Sequence, residues 1–284
     1  MAGLPLPGIR PMLLSQSRLM SARHHDRNCQ LCEHRCGVDR ARGERGPCHA
    51  GLEARIFRHR VESGEELALN PCHLFYLSGC DLRCAFCVAE ANAFDPSRGD
   101  LLTPDYFRKA VAWGRAQQPK TLQWVGGEPT IHLPRILEAM AESDSLPPVI
   151  WKSDFHSTPE AFDLLEGVMD VYIADLKFGN DECARRIARV DNYWAIVTRN
   201  LLRVASSGSL IVRHLLLPGH AECCYAPLIA WLAEQLPQVP FSLRDGYLPR
   251  WRSAQFVELN RYVSRHESAA AFETVRNAGL NLIR

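Results

Sequence analysis

Seven of the eleven cysteines fall in two groups, and their spacing limits what they can do. The segment Gly79-Cys80-Asp81-Leu82-Arg83-Cys84-Ala85-Phe86-Cys87 spaces three thiols as CxxxCxxC, directly after the apolar run Leu74-Phe75-Tyr76-Leu77-Ser78. Three thiolates this close in sequence can wrap one metal cluster. A 4Fe-4S cube has four irons, each wanting a terminal ligand, so three cysteines leave one iron open to a small chelating molecule. A structural zinc with its fourth ligand elsewhere is the competing reading.

The second group, Cys29, Cys32, Cys36 and Cys48, supplies four thiols, enough to close a metal site with no open position. The arginines around it (Arg35, Arg40, Arg42, Arg45) offset the negative charge of a four-thiolate site, and Gly37, Gly43, Gly46 and Pro47 mark the tight turns of a small metal staple. An auxiliary 4Fe-4S cluster and zinc both fit these ligands, with iron-sulfur slightly favoured. Cys72 and Cys183 read as buried small residues. Cys223 and Cys224, adjacent after Pro218-Gly219-His220, offer at most one thiol toward a reaction centre.

Two further combinations stand at expected strand ends. Val125-Gly126-Gly127-Glu128-Pro129-Thr130 joins glycines that admit close backbone approach to a carboxylate that can accept from an ammonium group. Asp175-Leu176-Lys177 sets an acid and a base on the same side of an extended chain. Lysine is scarce here, at Lys109, Lys120, Lys152 and Lys177 alone, so two of the four lie at strand ends.

The elements that must carry these residues alternate short β-branched or aromatic runs with helix-period segments, the pattern of βα units on a parallel sheet. Six strands are expected, at residues 74–78, 121–125, 148–153, 171–178, 209–217 and 240–247. Helices follow them, including one opened by Ser157-Thr158-Pro159-Glu160, a cap with proline in the first turn. Six units over about 210 residues fall short of the ~250 of a closed eight-unit barrel, so the fold class expected is α/β, a partial (β/α)6 TIM-like barrel. A doubly wound open sheet is the alternative. Either places reactive groups at the carboxyl ends of strands. The domain reading is a disordered leader over 1–27, a cysteine-rich module over 28–70 and the barrel over 71–284.

Composition removes other classes. The 284 residues carry 33 Lys+Arg against 32 Asp+Glu and are 46% hydrophobic, which excludes a disordered chain and a highly basic nucleic-acid arm. Residues 1–60 hold eleven arginines against five acids, but a basic patch without a recognition helix reads as solvated surface, against a nucleic-acid partner. Apolar runs are too short for a membrane span. The odd cysteine count, clustered and with no secretory leader before it, argues for metal binding in a reducing, cytoplasmic setting rather than disulfides. The first twenty residues read as a leader or an upstream start, with Met20 a candidate true start.

With Phe86 just before the last cysteine, the CxxxCxxC loop resembles the hallmark of the radical S-adenosylmethionine (SAM) superfamily. The resemblance extends through QWVGGEPTIHLPRILEAM, VYIADLKFGN and VRHLLLPGH, and with the cysteine-rich head looks like the PflX-type branch of pyruvate formate-lyase-activating-enzyme-like proteins, covering residues from about 28 to 280. It implies that Cys80, Cys84 and Cys87 hold a 4Fe-4S cluster whose open iron chelates SAM. One-electron reduction would then yield a 5′-deoxyadenosyl radical that abstracts hydrogen from a protein, peptide or small-molecule substrate. Phe86, Gly126, Gly127 and Glu128 would serve the cofactor, Glu128 at its amino group, together with Asp175, Lys177 and Arg213. An electron donor such as flavodoxin or ferredoxin is implied as partner.

The sequence departs from activating enzymes in two places. Lys152-Ser153-Asp154-Phe155 puts a lysine where a small polar or acidic group is expected to face the site, and Leu243-Arg244-Asp245-Gly246-Tyr247 lacks a strand-six histidine. A biosynthetic or peptide-modifying radical enzyme that does not act on a glycyl radical enzyme therefore stays open, as does a non-catalytic, zinc-stapled binding protein.

Overall fold

The structure, a computed structural model, describes residues 6–64 and 66–283. Among these, the chain order is α1 (Gln16–His24), β1 (Arg55–Glu62), β2 (Cys72–Leu77), α2 (Glu90–Ala93), β3 (Asp100–Leu101), α3 (Pro104–Arg115), β4 (Thr121–Gly126) and α4 (Leu133–Ala141). It continues through β5 (Val149–Ser153), α5 (Pro159–Leu165), β6 (Val171–Asp175), α6 (Asp181–Ala188), α7 (Tyr193–Ser207), β7 (Ser209–Leu215), α8 (Ala226–Gln235), β8 (Phe241–Arg244) and α9 (Arg265–Asn277). All six expected strands are present, and the chain is an α/β protein whose strands are mostly parallel. It divides into two compact units, and the division runs through the expected barrel rather than in front of it.

The first unit holds residues up to Asp81, Ala91–Ser153 and Ser157–Tyr172. Its strand order is β3-β1-β2-β4-β5, with β2, β4 and β5 parallel and β1 antiparallel to both β2 and β3. The two antiparallel additions were not expected. Because β3 is an edge, this part of the sheet is open on that side, as a partial barrel requires. Parallel register pairs Cys72 with Thr121 and Leu77 with Gly126, so β2 and β4 end level with each other.

Apolar spacing decides the packing of this unit. On α3 the buried positions Phe107, Ala110, Val111 and Gly114 follow the i, i+3, i+4, i+7 stripe, and Thr103 caps the helix through the Tyr106 amide at 3.1 Å. The rings of Phe75, Phe107 and Trp124, all fully buried, pack 5.1 to 5.2 Å apart between sheet and helix.

Residues 6–27, expected as a disordered leader, are part of this unit. Arg10 exchanges backbone hydrogen bonds with Leu146 and pairs with Asp170 at 3.0 Å, Met12 is buried, and Ser15 caps α1. Residues 1–5 of that expected leader lie outside the described residues. The cysteine-rich segment belongs to the same unit. Thr158 Oγ1 donates to Gln30 O at 2.7 Å, Cys32 forms a β-bridge with Ser157, and Cys48 and Ala50 pack on Ile131.

The second unit holds Leu82–Glu90, Asp154–His156 and Ile173–Arg284. Here β7 and β8 are parallel, with Leu215 opposite Arg244. Asn180 caps α6 by accepting from the Cys183 amide at 2.8 Å, and α9 starts with a capping box of Ser264 and Glu267. A five-residue π-helical turn, Ala221–Tyr225, precedes α8. Among the described residues, no helix is long and apolar enough to cross a membrane.

Candidate cluster and cofactor site

In the first unit the site begins where β2 and β4 end. Gly79 takes φ +90°, and its carbonyl accepts from the Glu128 amide at 2.9 Å, while Gly127 N donates to Leu77 O at 2.8 Å. The GGEP turn is thus laid against the backbone entering the cysteine loop. A Cβ on Gly127 would stand 1.8 Å from Gly79 O, and one on Gly126, at φ +130°, would stand 2.3 Å from Leu77 N, so only glycine fits at either place.

Glu128 is buried, and its Oε1 accepts from the Thr130 amide at 2.9 Å and from Ser153 Oγ at 2.8 Å. Ser153 was not singled out from sequence; the alternation of side chains along β5 is the signal that points to it. The same alternation sends Lys152 to the opposite face, where its Nζ pairs with Glu66 at 3.5 Å. His132 donates from Nε2 to Ser78 O at 2.7 Å, and burial lowers its pKa to about 4, which keeps it neutral. Cys80 is buried at the head of the loop.

In the second unit the remainder of the loop is pinned by backbone bonds. Arg83 N donates to Ala188 O at 3.1 Å, Ala85 N to Ile187 O at 2.8 Å, and Arg252 N to Ala85 O at 2.9 Å. Cys84 is buried and Cys87 half-buried, with Cys87 N donating back to Cys84 O at 3.1 Å. Phe86 points into an aromatic nest, its ring 6.1 Å from Tyr247 and 6.3 Å from Phe178. Burial pushes the Cys87 thiol up, opposed by the Ala89 amide and the Lys177 charge.

Asp175, Lys177 and Arg213 come together in this unit. The Lys177 ammonium lies 3.1 Å from Asp175 Oδ2 and Arg213 Nε lies 3.6 Å from Oδ1, so one carboxylate is flanked by two cations. Register between the strand exits is set by Leu176 N donating to Arg213 O at 2.9 Å. Lys177 N donates to the hydroxyl of the buried Tyr193 at 2.7 Å, a partner that sequence reading missed because it lies on α7. Burial works against the Lys177 charge, but Asp175, then Cys84, Asp154 and Tyr193, outweigh it and raise its pKa.

The four head cysteines belong to the first unit. Burial raises the thiol pKa of Cys29, Cys32 and Cys48, and the Arg40 guanidinium counteracts it at Cys29 and Cys48. Arg40 is itself buried, donating to Ile131 O at 2.6 Å and toward Cys48 Sγ at 3.7 Å. A Cβ on Gly46 would meet Cys36 Sγ at 2.6 Å, so the backbone passes directly beneath that sulfur.

Comparison with known proteins adds to this geometry. The sequence profile of the Radical SAM superfamily matches residues 74–232. An uncharacterized protein of Methanocaldococcus jannaschii, MJ0674, is 33% identical over 282 residues, covering 97% of this chain and 82% of that protein. Among solved structures, TYW1 with a lysine-pyruvate adduct bound superposes with TM-score 0.50 at 14% identity over 72% of this chain and 73% of that one. Streptococcus suis SuiB bound to precursor peptide SuiA gives TM-score 0.48 at 13% identity over 72% of this chain; the chain spans less than half, 46%, of SuiB. The superfamily implies a 4Fe-4S cluster and SAM. On the cysteine loop, the strand ends and this match, the chain belongs to the radical SAM superfamily.

Proposed function

We propose that Cys80, Cys84 and Cys87 hold the 4Fe-4S cluster and that the chain is an activating-enzyme-like radical SAM enzyme acting on a protein, peptide or small-molecule substrate. The observation that carries this reading is the lamination of Gly126-Gly127-Glu128 on the Gly79 backbone, which fixes a buried carboxylate against the start of the cysteine loop. When bound, the cluster and SAM together supply one-electron cleavage of the sulfonium and a carbon-centred radical. Glu128, oriented by Ser153 and Thr130, accepts from the amino group of SAM. Asp175 lies between Lys177 and Arg213, and this charged trio orients the polar groups of the nucleotide. Lys177, whose charge also acts on Cys84 and Cys87, offsets the negative charge of the ligating thiolates.

The small polar group that bonds to Glu128 from β5 is Ser153, which supports an activating-enzyme-like arrangement there. At the head we propose an auxiliary iron-sulfur cluster. Four thiols with no open position suit an electron-relay cluster, and the buried Arg40 beside Cys48 Sγ offsets part of its negative charge. Reductive SAM cleavage by the anaerobically reconstituted protein, followed as 5′-deoxyadenosine, tests the main reading. Cys84→Ala is expected to abolish it, and undiminished release by that variant refutes the assignment. Deuterated candidate substrates then identify the hydrogen donor by transfer of label into 5′-deoxyadenosine.

A further inference from the structure

Four potential ligands outside the cysteine loop and the head converge in the second unit. His220 Nδ1 stands 3.6 Å from Cys183 Sγ, 3.2 Å from Cys223 Sγ and 3.7 Å from Cys224 Sγ. Cys183 and Cys223 sulfurs are 3.7 Å apart, those of Cys223 and Cys224 4.0 Å, and all four donor atoms lie within 4.8 Å of one another. An ideal tetrahedron with Zn–S of ~2.3 Å and Zn–N of ~2.0 to 2.1 Å has S···S edges of about 3.8 Å and N···S edges of about 3.5 Å. The edges seen here scatter around those values. Thiolates that bind different irons of a cubane must stand farther apart than sulfurs sharing one ion, so this spacing excludes a 4Fe-4S cluster here.

We propose that Cys183, His220, Cys223 and Cys224 form a structural zinc site of Cys3His type that joins the start of α6 to the segment between β7 and α8.

The surroundings are those of a metal site. The π-helical turn Ala221–Tyr225 supplies the adjacent Cys223 and Cys224, and a single such turn is a common mark of functional sites. Asn180 Nδ2 lies 3.5 Å from both Cys183 Sγ and Cys224 Sγ, so its amide donates toward two of the sulfurs. A Cβ on Gly179 would stand 2.1 Å from Cys224 O, and glycine there lets the two backbones approach. On the far side of the imidazole, His220 Nε2 is buried and faces Glu258 Oε1 at 3.7 Å, the carboxylate-histidine arrangement that orients metal-binding imidazoles. Arg186, paired with Glu258 at 2.6 Å and also bonding toward Cys183, offsets the net negative charge of three thiolates on one dication. Exposed Cys223 gives the ion a way in. Binding transfers three thiol protons to solvent, with no change of oxidation state.

The test uses the full-length chain purified anaerobically, with zinc and iron per chain measured by elemental mass spectrometry. The triple substitution Cys183→Ser, Cys223→Ser, Cys224→Ser is expected to lose about one zinc per chain and no iron. Equal zinc in both proteins overturns the proposal. So does a wild type with no zinc whose Cys183 and Cys223 are joined as a disulfide. Should the triple variant not fold, Cys223→Ser alone and His220→Cys are loaded with cobalt. Each is expected to alter the ligand-field bands of the wild-type cobalt protein, His220→Cys toward a four-sulfur spectrum, and bands unchanged in both refute the site. Because iron content is read independently, failure here is distinct from failure of the SAM-cleavage reading.

Discussion

Gly127→Ala puts the central claim about the site under the most direct strain. The added Cβ would stand 1.8 Å from Gly79 O, whereas real Cβ contacts stay at 3.0 Å or beyond, so the turn and the loop entrance must part by at least about 1.2 Å. Both partners are backbone, so no side chain can swing away to absorb the displacement. The Glu128 N to Gly79 O bond is lost, and leaving those buried groups unpaired costs about 1 to 3 kcal/mol. More telling is the effect on chemistry. Misplacement of a positioned group by about 1 Å costs on the order of 100-fold in rate. Cleavage of SAM per iron-sulfur cluster is therefore expected to fall by about that factor. The assay is single-turnover 5′-deoxyadenosine formation, normalised to iron content, with Gly8→Ala as control because nothing lies within 4 Å of a Cβ there. A Gly127→Ala protein with wild-type rate and unchanged thermal midpoint would refute the argument that this glycine couples Glu128 to the cysteine loop.

Other outcomes follow from other contacts. Glu128→Ala is expected to weaken SAM binding without lowering iron content, and an unaltered dissociation constant measured by equilibrium dialysis would remove Glu128 from the cofactor site. Thr158→Ala deletes both the cap of α5 and the bond to Gln30 O, so a loss of about 1 to 2 kcal/mol in chemical denaturation is expected, and none would show that the head is held by other means. His73, His132 and His214, each buried with its pKa lowered to about 4, bind protons more readily when unfolded. Stability contributed by these neutral histidines is complete above the unfolded value of ~6.5 and declines as pH falls toward 4. Denaturation at pH 5 should accordingly take up more protons than at pH 7.5, by up to about three, and equal uptake would contradict the assignment.

The parallel strands were legible because each is a short apolar run bounded by turns, and TLQWV and PVIWKS lie within a residue of the observed β4 and β5 bounds. β1 was not legible. Its text, RIFRHRVE, is rich in cations, and it is a strand because Ile56 is buried and its backbone pairs on both sides with β2 and β3. The ordering of residues 6–27 escaped for a similar reason, since Arg10 is held by Leu146 and Asp170, partners no local pattern reveals. The candidate cofactor residues were legible as a motif, but their supports were not. Ser153 and Lys152 are neighbours in sequence with opposite faces, and Tyr193 reaches Lys177 from another element. Cys183 and His220 are 37 residues apart and meet only because α6 and the π-helical turn fold together.

The bond from Thr158 to Gln30 spans 128 residues, and the Cys32 bridge to Ser157 spans nearly as many. A nascent chain leaving the ribosome therefore exposes its first four cysteines well before their scaffold has been synthesised. Their native enclosure must wait until β5 and the start of α5 have emerged, so maturation of the amino-terminal end is timed by the middle of the polypeptide. Truncation of a nascent chain before that point would leave those thiols exposed to oxidants and to adventitious metals.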